Sequence, residues 1–449
     1  MNLDRSANSA TWSSSHGFLL ATIGSAIGLG NIWRFSYLAG ENGGGAFILI
    51  YALAIAFIGL PVMVAEFALG RAGGADPTSA YPRISRHRVT TAIGWLAVVA
   101  CCVTLAYYAV VAGWVARYLM VALTSGFASA PAVGHGAAFA DFTGHTAWPI
   151  LWQGLVMVAT AAVVAAGVNA GIERLCKVLM PALAVVIVGL ALYSLSLPGS
   201  GRGLAFMFLP DWPALGRPQV YLAALGQAFF SLGVGYGTML TYGAYAGAGQ
   251  SLTRNALLGA VADTLFALVA GVAIFGAVFA FGLNPASGPS LAFITLPEVF
   301  DRMPGGTLFA IAFFGLLLAA ALTSAVGLLE VPVAALIERT GTSRRRAAWQ
   351  IAGLIFALGI PTALGFGPLK SITFAGMGLL ETYDMIVGEI LLPVSVLAVA
   401  AFVGWFWAPA LSEKASGLSG PVGRAWLGLL RYAVPIVIVA LFAASLLKT

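Results

Sequence analysis

Apolar runs of about 20 residues recur along almost the whole chain, and this single feature leaves few folds open. Each run is long enough to cross the hydrocarbon of a bilayer as an α-helix. They lie near residues 17–38, 43–70, 90–123, 148–167, 174–196, 219–247, 256–282, 306–337, 347–366, 373–403 and 425–446. That gives eleven expected spans. The connections, at most about 20 residues long, leave no room for a soluble domain. Composition agrees, with 60% hydrophobic and only 8% charged residues, against about a quarter charged in a soluble domain. The expectation is an all-α polytopic membrane protein forming one domain over residues 1–449.

The net charge of +6 is informative through its distribution, and it does not point to nucleic acid. One set of connections carries Arg71, Arg83, Arg86, Arg88, Arg174, Lys177, Arg254, Arg339, Arg344, Arg345, Arg346, Lys414 and Arg424, with Arg5 before the first span. The opposite set carries only Arg202, Arg217, Arg302, Lys370 and Lys448. The positive-inside rule then puts the N-terminus in the cytoplasm and, with an odd number of spans, the C-terminus outside. The opening "MNLDRSANSATWSSSH" lacks an A-x-A-like cleavage site, so the first span reads as a retained helix. Cys101, Cys102 and Cys176 show no metal or redox spacing and read as packing residues.

Two spans depart from the lipid-facing pattern. The first contains "GSAIGLGN", with Gly24, Gly28 and Gly30; the sixth contains "AFFSLGVGYGTMLTYGAYAG", with Gly233, Gly235 and Gly237 at alternate positions. Each glycine costs a helix interior about 1 kcal/mol relative to alanine. One reading is close packing of helices through small residues. The other is unwound backbone, which a membrane tolerates only where protein or a water-filled cavity satisfies it. The two clusters lie five spans apart, as two five-helix repeats would place them, and an odd offset inverts the second repeat. Paired interruptions of this kind mark the binding site of a secondary transporter. Broken helices present N–H ends suited to a carboxylate and carbonyl ends suited to a cation.

Oxygen donors lie close by in the sequence. Asn31 follows the first cluster, Ser231 precedes the second, and Thr323 and Ser324 are adjacent in "AAALTSAVG". Asp263, in "LLGAVADTLFALVAGVAIF", has no basic residue within a turn or two. An intramembrane carboxylate is expensive, and it is a functional candidate by default. Glu66 and Glu330 read equally as functional groups or structural hydrogen-bond hubs. Arg34 requires an anion, and Asp384 lies near the same outer level.

"GSAIGLGNIWRF", "ENGGGAF", "GLPVMVAEFALGR", Tyr107–Tyr108, "AFFSLGVGYG" and "LTS" together resemble the neurotransmitter:sodium symporter family, over essentially the whole chain. The resemblance implies a LeuT-like fold: a 5+5 inverted repeat (about 17–196 and 219–403), an extra C-terminal helix (about 425–446), and helices 1 and 6 unwound. It implies sodium-coupled import of an amino acid across a bacterial inner membrane by alternating access, with two sodium sites. The partners are a small-molecule amino-acid substrate and membrane lipid, with no nucleic acid, in a monomer or weak dimer. One sodium site would take Ala26, Asn31, Ser231 and Asp263, with the substrate carboxylate. The other would take Gly24, Ile27, Ala320, Thr323 and Ser324. Substrate would lie among Ala26, Leu29, Gly30, Thr104, Tyr108, Phe230, Ser231, Gly233, Tyr236, Ser324 and Leu328. Arg34 and Asp384 would form an outer gate and Glu338 an inner one, whose aligned arginine position is Ser9, with Arg5 as a substitute. Gly171 and Pro181, nine residues apart in "AGIERLCKVLMPA", would let the fifth span unwind.

Departures from the family pattern refine the expectation. Amine-transporting members carry Asp where this chain has Gly28, so a carboxylate-bearing amino acid is expected. Gly233 stands where leucine-preferring relatives have a larger residue, which favours aromatic and branched apolar side chains. Asp263 replaces the commoner Asn, and Ala267 stands beside Tyr51, Gln227 and Ser231 where chloride-dependent members bind the anion. Chloride independence follows as an expectation. A proton-coupled amino-acid transporter of the same fold, with Asp263 or Glu66 as carrier, is the alternative. An intramembrane enzyme would need a constellation such as H-E-x-x-H, and His16, His87, His135 and His145 form none.

Overall fold

The computed structural model describes residues 11–74, 76–85, 88–126, 134–247, 249–286 and 288–446. In chain order its main helices are α1 Ser15–Ala26, α2 Gly30–Glu41, α3 Gly45–Gly73, α4 Pro77–Ile84, α5 Thr90–Thr124, α6 Gly134–Gly144, α7 Ala147–Ala166, α8 Val168–Ser196 and α9 Gly201–Phe208. They continue as α10 Pro218–Leu232, α11 Thr238–Ala244, α12 Leu252–Ala280, α13 Thr295–Arg302, α14 Gly306–Thr340, α15 Arg344–Leu364, α16 Leu379–Phe406, α17 Pro409–Ser416 and α18 Gly420–Ala443.

Among the described residues nine helices are long and apolar enough to cross a membrane, and α1 with α2 makes a tenth, bent by 46°. The sixth expected span does not pass as one helix. It is divided into α10 and α11 by residues 233–237. Both glycine-rich segments are therefore interrupted. The interruptions differ in kind. Gly233, Gly235 and Gly237 have φ of +66°, +84° and +70°, the left-handed region in which only glycine is at ease. In the first span the chain opens at 27–29, with Ile27 extended (φ −74°, ψ 109°), and no residue there has a positive φ. Only Gly28 of the three glycines lies in that opening. Gly24 sits inside α1, where a Cβ would meet Cys176 Sγ at 2.7 Å, so its role is close packing against α8. Small residues and unwinding thus both operate, at different positions.

The short helices α4, α6, α9, α13 and α17 were not expected, because their segments lack the length of a span. The long helices pack around the two broken ones. α5 lies along α14, α7 and α15; α1 packs on α12, α8 and α14; α10 and α11 pack on α3. Buried aromatic side chains, Phe18, Phe35, Phe47, Phe67, Tyr51 and Tyr242 among them, fill the space between. A stripe of exposed apolar residues on α7 (Trp148, Leu151, Leu155, Val158) and on α8 (Val185, Val188, Leu192) faces away from the bundle, as lipid-facing surfaces do. The segment between Gly171 and Pro181 is wound in this structure. Val168–Glu173 forms a wide π-type turn that leads directly into regular helix.

Candidate functional site

The two helix openings face one another in the middle of the bundle and enclose a small cavity. It is lined by Ser25, Ala26, Gly28, Gly30, Thr104, Tyr108, Phe230, Gly233, Tyr236, Thr238, Ser324 and Leu328. Nine of the eleven expected substrate residues are on this wall. Leu29 and Ser231 are not. Leu29 contributes its backbone instead, its N–H donating to the Tyr108 hydroxyl at 3.2 Å, and Ser231 belongs to the polar cluster next door. Ser25 and Thr238 joined the wall without having been singled out. Each is a small hydroxyl residue beside a helix opening, a pattern too common to stand out in sequence.

On one side of the cavity four side chains from four helices converge. The Asp263 carboxylate on α12 is fully buried. It accepts from Asn31 Nδ2 at 2.6 Å, from Ser231 Oγ at 2.9 Å and from the Tyr51 hydroxyl at 3.2 Å. Asn31 Oδ1 in turn accepts from the Gly28 amide at 2.9 Å. Every hydrogen-bond partner of Asp263 is neutral. A buried carboxylate without a cationic partner is a costly arrangement, and its surroundings are the hard oxygen donors that suit an alkali cation. Neither Gln227 nor Ala267 adds a donor to the carboxylate. Gln227 is occupied elsewhere, donating to Gly30 O at 2.8 Å and accepting from Arg34 at 3.0 Å.

On the opposite side α14 meets the C-terminal end of α1, whose last carbonyls have no intrahelical partner. The Ser324 hydroxyl reaches Ser25 O at 3.1 Å and Ile27 O at 3.3 Å. Thr323 Oγ1 donates to Ala320 O at 2.9 Å. Ile27, Ala320, Thr323 and Ser324 are thus brought together, and Gly24 lies one turn earlier on α1. The donor set again consists of hydroxyls and carbonyls.

The cavity is closed at both ends. On one end Arg34 pairs with Asp384 at 3.1 Å and lies over the Phe230 ring, 4.9 Å from its centroid. Tyr107 and Tyr37 hydroxyls hold the same carboxylate at 2.8 and 3.2 Å. Tyr37 lies three residues after Arg34 and so shares its helix face, a signal that was available in sequence. At the other end the Trp12 indole donates to Tyr242 O at 3.0 Å and stacks among Phe18, Tyr242 and Tyr245. Glu330 bridges Tyr245 and Arg344, and Glu173 holds Ser13 and Lys177. Glu338 pairs with Arg83 on α4, a partner that sequence did not suggest; Arg5 and Ser9 lie outside the described residues.

The Glu66 carboxylate on α3 is buried, and one of its oxygens, Oε2, has no hydrogen-bond partner among the described residues. The other, Oε1, accepts from the Gly235 N–H at 2.7 Å, within the unwound segment between α10 and α11. Ser395 holds the other side of that residue, donating to Gly235 O at 2.6 Å. The opening in the sixth span is therefore fixed by side chains from α3 and α16.

Comparison with known proteins agrees with this architecture. A family model described as the sodium:neurotransmitter symporter family matches residues 9–132 and 137–449. An uncharacterized sodium-dependent transporter of Bacillus subtilis, YhdH, is 37% identical over 437 residues, covering 96% of each chain. An uncharacterized sodium-dependent transporter of Haemophilus influenzae is 34% identical, covering 97% of this chain and 98% of its own. The crystal structure of MhsT in complex with L-phenylalanine superposes with a TM-score of 0.93 at 45% identity, over 97% of this chain and 99% of that one. The fold is the LeuT fold, an inverted 5+5 repeat with helices 1 and 6 unwound. A match over residues 9–132 and 137–449, on a bundle with this double interruption, places the chain in the sodium:neurotransmitter symporter family, as a sodium-dependent, multi-pass membrane transporter.

Proposed function

We propose that the chain imports hydrophobic and aromatic L-amino acids with sodium, at two sodium sites and without chloride. The observation that carries this reading is the Asp263 carboxylate, fully buried and held only by Asn31, Ser231 and Tyr51. A cation beside it would neutralise the buried charge, and the carboxylate of a bound amino acid would complete the cation's shell of oxygens. The carboxylate of Asp263 would take the place of an anion, which is the reason for expecting chloride independence. Ala26, Asn31, Ser231 and Asp263 would hold one sodium; Gly24, Ile27, Ala320, Thr323 and Ser324 would hold the other.

Space supports the substrate class. A Cβ at Gly28 would collide with Ser324 Oγ and come within 2.9 Å of the Tyr108 hydroxyl, so no acidic side chain fits there to receive an amine. A Cβ at Gly233 would meet only Met239 Cε, at 3.4 Å, which leaves that wall open for a larger ligand side chain. The substrate carboxylate would be received by the Tyr108 hydroxyl and the N–H groups of Leu29 and Gly30. Its side chain would lie against Thr104, Phe230, Tyr236 and Leu328.

Transport would follow by alternating access. Arg34, Asp384 and Phe230 would close the outer side, while release would require the Glu338 pair and the Trp12 seal to part and α8 to unwind between Gly171 and Pro181. The repeats would run over about 17–196 and 219–403, with 425–446 added. In a bacterial plasma membrane the N-terminus would be cytoplasmic and the C-terminus outside.

The test is binding of labelled tryptophan and leucine to purified protein in sodium or choline, each with chloride or gluconate. Saturable binding in sodium, equal in both anions and lost in Asp263→Ala, is the expected result. Equal binding in choline would replace sodium coupling with proton coupling. Loss of binding in gluconate would end the argument for chloride independence.

A further inference from the structure

Away from the central cavity, the end of the bundle that carries Arg34 and Asp384 has a second, larger recess. Its volume is about 1400 Å³ including the open mouth, and its walls are Arg117, Asp141, Phe142, His145, Trp148 and Trp152 with two alanines of α6. Arg117 lies on α5, ten residues beyond the Tyr107 that touches Asp384, or about 15 Å further along the helix axis. Asp141, Phe142 and His145 come from α6 and its end, and both tryptophans from the start of α7.

Three observations point to a ligand. First, Arg117 is half-buried, yet among the described residues its guanidinium makes no ion pair or hydrogen bond. Asp141 lines the same recess and is also unpaired, so the two charges face one space without reaching each other. Second, the Trp152 indole N–H is buried without an acceptor. A guanidinium and an indole N–H in one lining can both donate to an anion, and the Asp141 carboxylate of the same lining can receive a cation. Third, Trp148 of this recess also heads the exposed apolar face of α7. Trp148, Leu151, Leu155 and Val158 form an exposed stripe there, each about half exposed, and Trp148 stands at its outer end where aromatic residues mark the bilayer interface.

We infer that this recess binds the headgroup of an aminophospholipid from the adjoining leaflet. The phosphate would lie against Arg117 and the Trp152 N–H, the ammonium against Asp141, and the glycerol and first acyl carbons along Trp148 and Leu151. A headgroup of this kind carries one positive and one negative charge, which matches a recess lined by one group of each sign. A free amino acid has the same pair of charges. The lipid is favoured because Trp148 belongs both to the recess and to the exposed apolar stripe of α7. The inference is independent of the transported substrate.

The test is native mass spectrometry of the full chain, released from detergent micelles containing equal amounts of phosphatidylethanolamine, phosphatidylcholine and phosphatidylglycerol. Phosphatidylethanolamine should be retained preferentially. Arg117→Gln should lower retention of all three lipids about tenfold or more, the scale of losing a charge-assisted hydrogen bond. Asp141→Asn should lower phosphatidylethanolamine and raise phosphatidylglycerol. Because Asp141 is exposed, that variant reads the charge pattern even where Arg117→Gln fails to fold. Retention unchanged in both variants, or an Asp141→Asn profile without a change in lipid preference, would overturn the proposal. So would displacement of bound phosphatidylethanolamine by millimolar free amino acid, which would assign the recess to a soluble zwitterion.

Discussion

Replacing Asp263 by Asn is the most searching perturbation the structure offers. The substitution keeps the shape, and the amide oxygen can still accept from Ser231 and Tyr51, which lie 2.9 and 3.2 Å from the carboxylate. What it removes is one negative charge from a fully buried position with no cationic partner, together with the acceptor of the Asn31 Nδ2 bond at 2.6 Å, which the new amide nitrogen cannot replace. A unit charge about 4 Å from a cation is worth about 4 kcal/mol at an effective dielectric constant of about 20. At about 1.4 kcal/mol per decade, sodium affinity should fall by about three orders of magnitude. Direct binding of radioactive sodium to purified protein measures this without assuming which amino acid is transported. The fold should persist, because no cavity is created, and thermal unfolding without sodium should shift, since a buried charge has gone and the Asn31 bond is lost. An affinity for sodium within tenfold of the parent, with unchanged unfolding, would refute the claim that the carboxylate serves a cation.

Three smaller perturbations probe the rest of the site. Ser324→Ala removes the hydroxyl that joins α14 to Ser25 O and Ile27 O. Sodium affinity should drop about tenfold, corresponding to about 1.5 kcal/mol, in the same radioactive-sodium assay. Glu66→Ala leaves the Gly235 N–H buried without its acceptor and should cost about 1–3 kcal/mol, seen as a lower thermal unfolding midpoint. Asp384→Asn weakens the latch that Arg34, Tyr37 and Tyr107 share. Bound labelled tryptophan should dissociate about tenfold faster or more, with little change in its association rate, because losing a buried charge pair acts mainly on the off-rate.

Much of the site was legible because membranes make polar residues conspicuous. Asp263 and Arg34 stood out as charges in apolar surroundings, and the alternate glycines of "GVGYG" announced a backbone that no regular helix would choose. The left-handed φ values at Gly233, Gly235 and Gly237 are the direct consequence. Gly24 and Gly28 were harder to tell apart. One faces the Cys176 side chain within a regular helix and the other lines the cavity, a difference set by the helices packed around them. Glu66 and Glu330 were equally ambiguous, because a carboxylate's role depends on whether its neighbours are amides, an arginine or open space.

By itself, the sequence determined the class, an all-helical membrane bundle, since runs of apolar residues can satisfy their backbone in lipid only as helices. It also determined where the two helices must break and which oxygen-bearing side chains lie near those breaks. Only the tertiary structure decided partners. Asp384 receives Tyr37 and Tyr107 as well as Arg34, Glu338 pairs with Arg83, and Arg117 with Asp141 borders a recess on the lipid side. The pairings of Asp384 and Glu338 join residues 255 to 350 positions apart in the chain. The spacing along one helix cannot encode them, because they depend on how separate helices cross.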